Sequence, residues 1–155
     1  MKNDNKGFSL LELIIAFALL AIVSVILLSF MTSGSNMYRS VSTEFALQMQ
    51  SQVVMAQIKE YVVDCNGAIY FDGETLTIRN SDADHSFVLN AAERTISYNG
   101  YPLATDVSAF SVQSAFSSGA VEVITTFEKN GKSYSTTQVI ALRNELVALN
   151  GGTAP

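Results

Sequence analysis

The feature that most restricts what this chain can fold into is a run of 19 uncharged residues, Leu13 to Met31. Its only polar members are Ser24 and Ser29. As an α-helix rising 1.5 Å per residue, the run is about 28 Å long, enough to cross the hydrocarbon core of a bilayer. The lysines before it, Lys2 and Lys6, favour a cytoplasmic N-terminus and an exported remainder.

Three interpretations of this segment are a cleaved secretory signal, a plain signal-anchor helix, and a helix whose first carboxylate, Glu12, pairs with a cation of another chain. A cleaved secretory signal has a shorter apolar region of about 7–15 residues, although Ser33-Gly34-Ser35 would serve as a weak cleavage site. A plain signal-anchor helix explains the length and the flanking charge but leaves Glu12 unexplained. An ionisable residue inside a membrane segment is by default functional and needs a partner. Glu12 therefore lies either at the headgroup level or, as its context favours, opposite a cation from another chain.

The context is Lys6-Gly7-Phe8-Ser9-Leu10-Leu11-Glu12 followed by the apolar run. This pattern resembles the N-terminal signal of type IV pilins and type II secretion pseudopilins. The resemblance implies that a prepilin peptidase cuts between Gly7 and Phe8 and methylates the new amino terminus of Phe8. It also implies that Glu12 neutralises the terminal amine of a neighbouring subunit in a filament. Each charge then offsets the burial cost of the other, and the pair sets the axial register.

Two departures bear on the type of subunit. Ser9 follows Phe8, where threonine is common, and the chain has only two prolines, Pro102 and Pro155, so the kinking proline of many major pilins is missing from the apolar run. The absent proline favours a minor pilin or pseudopilin. The segment from Ile96 to Val107, together with the closing strand, resembles the larger minor pilins of the J/W type.

Beyond the apolar run, the helical pattern resumes and shows two apolar stripes on opposite sides. The first stripe consists of Tyr38, Val41, Phe45, Met49, Val53 and Ala56. The second consists of Leu47, Val54, Ile58, Tyr61 and Val62. One stripe is enough to pack on the chain's own sheet. Either both stripes are buried in one head, or the extra stripe faces neighbouring subunits. A helix from Phe8 to about Val63 would be roughly 84 Å long.

After Cys65-Asn66-Gly67 the apolar period changes to two, which is typical of strands. We predict hairpins over Asp72-Gly73 and over Lys129 to Lys132, and a turn at Asn99-Gly100. The expected fold class is α+β and pilin-like: a long N-terminal helix, half membrane-borne and half amphipathic, packed on about six or seven mainly antiparallel strands. The predicted division is a cleaved leader (1–7), a transmembrane and assembly helix (8–34), its amphipathic continuation (35–64), a β-rich head (65–145) and a flexible tail (146–155).

The composition offers little for catalysis, so we expect no enzymatic activity and no cofactor. The net charge of -5 does not favour binding to phosphates, and contact with nucleic acid stays open. The lone cysteine, Cys65, is expected as a small buried residue, with an intermolecular disulfide as the alternative. The lone histidine, His85, is expected in a solvated loop rather than as a metal ligand. Asn80, Asp82 and Asp84 lack the full spacing of a calcium loop.

The sequence is therefore compatible with two classes of function. The first is a structural minor pilin or pseudopilin subunit, held in membrane lipid before assembly. Its implied partners are the prepilin peptidase, other pilin subunits, and an assembly platform with its ATPase. Its expected location is a single membrane pass with an external head and, after assembly, a surface filament used in adhesion, DNA uptake or secretion, with a position at the filament tip as one option. The second is an uncleaved single-pass anchor that presents a β-rich binding or adhesion head. A head secreted after Ser35 is a weaker third.

Overall fold

The computed structural model describes residues 9–115, 119–143 and 149–151. In this part of the chain, one helix, α1 (Leu10–Val63), precedes nine strands. The strands are β1 (Ala68–Phe71), β2 (Thr75–Arg79), β3 (Asp84–Asn90), β4 (Thr95–Tyr98), β5 (Tyr101–Ala104), β6 (Val107–Ala115), β7 (Ala120–Lys129), β8 (Lys132–Ala141) and β9 (Leu149–Gly151). The predicted α+β class, with one long N-terminal helix and mainly antiparallel sheets, is confirmed.

Helix α1 contributes to two compact units, one that ends at Val41 and one that begins at Ser42. The helix continues without interruption through Ser33-Gly34-Ser35, the segment described above as a weak cleavage site. In the first unit, α1 is apolar along most of its surface. In the second unit, the remainder of α1 packs on the strands, and all the buried residues of the helix lie there.

The second unit holds two sheets. The larger has the strand order β5-β4-β3-β2-β1-β9, and the smaller has the order β6-β7-β8. All pairings are antiparallel except that of β1 with β9, which is parallel. The predicted hairpin at Asp72 is present, and its register pairs Phe71 with Leu76. The Asp72 carboxylate accepts hydrogen bonds from the backbone N–H groups of Thr75 (2.7 Å) and Glu74 (3.0 Å), which hold the pKa of Asp72 below its usual value.

Two strands were not predicted. Strand β5 has only four residues and contains Pro102, a composition that indicates a turn rather than a strand. Strand β9 has three residues and lies within the segment 146–155 that was predicted to be a loose tail. Its parallel pairing with β1 places Leu149 opposite Ile69, a long-range contact that no local sequence pattern predicts. Residues 146–148 and 152–155 lie outside the described residues.

The core of the second unit forms where α1 meets the inner faces of both sheets. From α1 it receives Leu47, Val54, Ile58 and Val62, all without exposed surface. Their sheet partners include Phe87 and Phe127, also fully buried. Each such side chain stabilises the fold by about 1.5–3 kcal/mol relative to exposure to water. The second of the two predicted stripes is therefore the one that packs on the chain's own sheets.

The substitution Leu47→Ala tests which face of α1 stabilises this unit. We expect it to lower the free energy of unfolding by about 2–5 kcal/mol, because it leaves a cavity under the sheets. The matched change Met49→Ala removes a half-exposed side chain from the opposite face and should cost about 0.5 kcal/mol or less. Urea unfolding of the full chain in detergent measures both, and equal losses for the two variants would contradict the assignment of faces.

Candidate functional site

The first turn of α1 is capped by Ser9, the residue immediately before the helix. The Ser9 hydroxyl accepts a hydrogen bond from the backbone N–H of Glu12 (3.2 Å), and the Ser9 carbonyl accepts one from the N–H of Leu13 (3.2 Å). The Ser-x-x-Glu spacing is that of a capping box, and the structure shows its serine half, the bond to the Ser9 hydroxyl. The sequence analysis treated Ser9 only as a departure from threonine, although the spacing from Ser9 to Glu12 was a readable signal for the start of the helix.

Glu12 is exposed in this first turn, and no other charged residue follows in the sequence until Arg39. A carboxylate near a helix N-terminus is favourable because it faces the positive end of the helix dipole. The same carboxylate is costly in lipid unless a cation accompanies it. The cap uses only the backbone of Glu12, so its side chain is not needed to satisfy that N–H. The predicted processing residues Lys2, Lys6, Gly7 and Phe8 lie outside the described residues.

The apolar part of α1 is long enough to span a membrane. An 18-residue window of the helix has a mean hydropathy of 3.0, and none of this window is buried. The exposed apolar side chains between Leu10 and Met31 are Leu10, Leu11, Leu13, Ile14, Ile15, Phe17, Leu19, Leu20, Ile22, Val23, Val25, Ile26, Leu27, Leu28, Phe30 and Met31. Surface of this kind is stable only in lipid or against other apolar helices.

Two hydroxyl groups in or directly after this segment are satisfied by the helix itself. Ser24 donates to the carbonyl of Leu20 (2.8 Å), and Thr32 donates to the carbonyls of Leu28 and Ser29 (3.1 and 3.0 Å). A hydroxyl bonded in this way brings little unpaired polarity into a dry environment. The hydroxyls of Ser24 and Thr32 therefore do not prevent the apolar segment of α1 from being buried in lipid or against other helices.

In the second unit, α1 also presents an uncovered apolar surface. Phe45, Met49 and Val53 are 61%, 48% and 48% exposed, whereas the opposite stripe is buried. These three residues belong to the first of the two predicted stripes, and the sequence had not indicated which stripe would be left uncovered. The alternative that both stripes are buried in one head is wrong for this helix. We call the surface formed by Phe45, Met49 and Val53 the free apolar face.

His85 does not lie in a solvated loop, which corrects the sequence prediction. It is the second residue of β3, opposite Ile78 of β2, and only 9% of it is exposed. The alternation of β3 turns its ring inward, where it stacks on Tyr61 of α1 with ring centroids 3.8 Å apart. Its Nδ1 lies 2.7 Å from the hydroxyl oxygen of Tyr98 on β4. His85 thus joins α1 to the larger sheet.

The other candidate residues make contacts that stabilise the fold. Cys65 is buried, as its first interpretation predicted, and burial raises the pKa of its thiol. Asp84 forms an ion pair with Arg79 (3.3 Å), and the side-chain oxygen of Asn80 accepts a hydrogen bond from the N–H of Asn66 (3.2 Å). Within the described ranges, no three residues among His, Cys, Asp and Glu are grouped so that they would hold a metal ion.

Comparison with known families gives one match. Residues 2–28 match the model of the prokaryotic N-terminal methylation motif. No curated protein and no solved structure is significantly similar to the chain. The matched segment includes the predicted leader charges, cleavage site and Glu12, and excludes the β-rich unit. It supports a type IV pilin-like or pseudopilin-like protein, a structural rather than enzymatic class, and is consistent with a single-pass membrane anchor.

The packing around Tyr98 predicts a loss of stability at high pH. Burial, followed by the hydrogen bond with Tyr61 and the charge of Glu60, raises the pKa of Tyr98 to about 12. The phenol of an unfolded chain has a pKa of about 10. The folded chain therefore binds the phenol proton of Tyr98 more tightly than the unfolded chain does. The resulting stabilisation of the fold is complete below pH about 10 and is lost as the pH rises to about 12.

Urea unfolding at several pH values between about 9 and 12 measures this loss. The variant Tyr98→Phe should be less stable at pH about 9, and its disadvantage should shrink toward pH about 12. The control Tyr101→Phe alters an exposed ring on β5 and should keep a constant difference from the unmodified chain. A constant difference for Tyr98→Phe as well would contradict the assignment.

Proposed function

We propose that this chain is a minor subunit of a type IV pilus or of a related secretion or DNA-uptake filament. A prepilin peptidase removes residues 1–7 and methylates Phe8, and the processed chain waits in the membrane. The observation that carries the proposal is α1 itself: an apolar, uncovered helix with a single carboxylate, Glu12, in its first turn. The matched methylation motif over residues 2–28 supports the same conclusion.

The role of Glu12 follows from the charge that processing creates. Cleavage before Phe8 leaves a positive amine at the end of an otherwise apolar helix. In a filament, Glu12 of one subunit neutralises that amine on the next. Neither charge is then buried alone, and the strict geometry of a buried ion pair fixes how far one helix slides along another. Because the Ser9 hydroxyl accepts its hydrogen bond from the backbone N–H of Glu12, this bond leaves the Glu12 carboxylate available for the pairing.

The free apolar face supports assembly rather than mere anchoring. A membrane anchor requires apolar surface only within the bilayer, yet Phe45, Met49 and Val53 lie in the second unit, where α1 also packs on the sheets. Apolar side chains in contact with water on a helix that already buries its opposite stripe are typical of an interaction surface. We propose that neighbouring helices cover this face in the filament, after an assembly platform driven by its ATPase extracts the subunit from lipid.

The minor-subunit role and the resemblance to the J/W type belong to this proposal. They are supported by the absence of proline from the apolar run and by the resemblance of the later strands. A position at or near the tip, where the β-rich unit would contact a surface, DNA or a secreted protein, is part of the same proposal.

The substitution Glu12→Leu tests assembly separately from membrane insertion. We expect it to insert and to be processed normally, because it makes the helix more apolar. Its content in sheared filaments should fall about tenfold or more, a loss of about 1.4 kcal/mol or more in association. Quantitative immunoblotting of membrane and filament fractions measures both quantities.

Two controls separate charge from helix structure. Glu60→Leu removes an exposed carboxylate elsewhere on α1 and should leave incorporation unchanged. Ser9→Ala removes the cap but keeps the Glu12 charge, so it should reduce incorporation less than Glu12→Leu. Normal incorporation of Glu12→Leu would show that the pairing role is wrong. Absence of the unmodified chain from filaments, together with retention of residues 1–7, would instead favour the uncleaved anchor with a binding head.

A further inference from the structure

The sequence contains an asparagine followed by glycine at four places, Asn66, Asn99, Asn130 and Asn150. In each pair the side-chain amide lies next to a backbone nitrogen that the glycine does not shield, so the two groups of the same chain can react. Asn150 lies in β9, where its backbone pairs with β1, and the other three lie in turns or loops. The reaction requires an asparagine side chain that can turn toward the next backbone nitrogen, so the fold decides which pair reacts.

Two of the pairs form two-residue hairpin turns with similar φ angles. Asn99-Gly100 connects β4 to β5, and Asn130-Gly131 connects β7 to β8. The φ angles are 47° and 83° in the first turn and 51° and 73° in the second. Asn-Gly is preferred in such turns because both positions require φ above zero. The φ angles therefore do not make one pair more reactive than the other.

The two turns differ in how the asparagine is held. The Oδ1 atom of Asn99 accepts a hydrogen bond from the backbone N–H of Ser86 on β3 (2.8 Å), and the Asn99 N–H donates to the Ser86 carbonyl (2.8 Å). Asn130 is exposed, and its side chain forms no hydrogen bond with any residue in the described part of the chain. A Cβ atom at Gly131 would meet nothing within 4 Å, so this turn also has room to distort.

Asn66 is held as firmly as Asn99. Its Oδ1 accepts a hydrogen bond from the backbone N–H of Ser81 (2.9 Å), and its Nδ2 donates to the Ser81 hydroxyl (3.0 Å). The next residue, Gly67, is packed so closely that a Cβ there would overlap the carbonyl oxygen of Arg79. The Asn66 amide must therefore break two hydrogen bonds, at a position without free space, before it can react.

We propose that Asn130 is a site of spontaneous deamidation and that the fold protects Asn66 and Asn99 from the same reaction. The Gly131 nitrogen attacks Cγ of Asn130, a new N–Cγ bond closes a five-membered succinimide ring, and the C–N bond of the side-chain amide breaks. The departing NH₂ group takes the Gly131 proton and leaves as ammonia. Water then opens the ring at either carbonyl and produces aspartate or isoaspartate. Water is the only co-reactant, so no enzyme or oxidant is required.

The products change the tip of the β7–β8 hairpin in two ways. Both place a new carboxylate between Lys129 and Lys132, which already pair with Asp106 (2.7 Å) and with Glu44 of α1 (2.8 Å). Isoaspartate also lengthens the backbone of a turn whose register places Lys129 opposite Lys132. The isoaspartate form should therefore open this end of the hairpin, because a two-residue turn no longer fits the flanking strands.

Incubation of the full chain in detergent at mildly alkaline pH, in heavy-oxygen water, tests the site. Peptide mapping by mass spectrometry should show heavy oxygen at position 130, in both the aspartate and the isoaspartate products. We expect conversion about fivefold or more faster at Asn130 than at Asn99, since a hydrogen bond of net value must break before Asn99 reacts. A rate at Asn130 no higher than at Asn99 or Asn66 would overturn the proposal.

The same incubation in urea removes the protection by the fold. Asn66, Asn99 and Asn130 should then convert at similar rates, because each is an asparagine followed by glycine. If Asn130 stayed much the fastest in urea, the local sequence would set the difference, and the protective role of Ser81 and Ser86 would be wrong.

A matched pair of variants locates the reaction. Asn130→Gly removes the amide, and glycine adopts φ above zero without strain. It should slow the appearance of acidic species in isoelectric focusing, whereas Asn99→Gly removes the amide of the other turn and should leave that appearance unchanged. Acidification of Asn130→Gly at the rate of the unmodified chain would overturn the assignment to Asn130. Neither measurement depends on Glu12 or on processing, so a failure here is distinguishable from a failure of filament assembly.

The variant Asn130→Asp separates the new charge from the longer backbone. It carries the carboxylate without the extra backbone atom, so its hairpin should stay closed. Amide hydrogen exchange at Lys132 and Ser133 should be faster in the purified isoaspartate form than in Asn130→Asp. Equal exchange in the two forms would show that the turn survives the modification and would overturn the predicted opening of the hairpin.

Discussion

The structure depends on one imbalance: α1 carries more apolar surface than its own sheets cover. The stripe that includes Leu47, Val54 and Ile58 is buried under the strands and stabilises the second unit. The opposite stripe and the whole apolar run before it have no such cover in the described chain. Lipid can cover the apolar run, and in the proposed filament neighbouring helices cover Phe45 and Met49. This is why we propose a subunit of an assembly rather than an isolated receptor.

In the proposed filament, Glu12 gives that apolar surface a defined register. Dispersion and the hydrophobic effect favour contact between helices but specify little about their axial position, because many offsets bury similar areas. A single carboxylate that must find a single amine selects one offset, since every other leaves a charge unpaired in a dry environment. Ser9 contributes because its hydroxyl accepts a hydrogen bond from the backbone N–H of Glu12, a bond that does not use the carboxylate.

Much of the fold was predictable because it follows local patterns. The change of period after Cys65, the Asp72-Gly73 turn and the two stripes on α1 are all short-range signals, and the structure contains each of them. The errors arose where long-range contacts decide. Strand β9 exists only through its parallel pairing with β1, and His85 is buried only because β2 and α1 enclose it. The processing site was predicted from a motif, and residues 1–8 lie outside the described chain, so cleavage stays a prediction.

The most direct test of the account is the intact mass, with N-terminal fragmentation, of the membrane-extracted protein produced with and without a prepilin peptidase. The account predicts that the peptidase removes residues 1–7 and that the new first residue, Phe8, carries one methyl group. Without the peptidase, the chain should keep Met1. An unchanged N-terminus in the presence of an active peptidase would contradict the account, as would a start near Asn36, which would indicate an ordinary secreted domain.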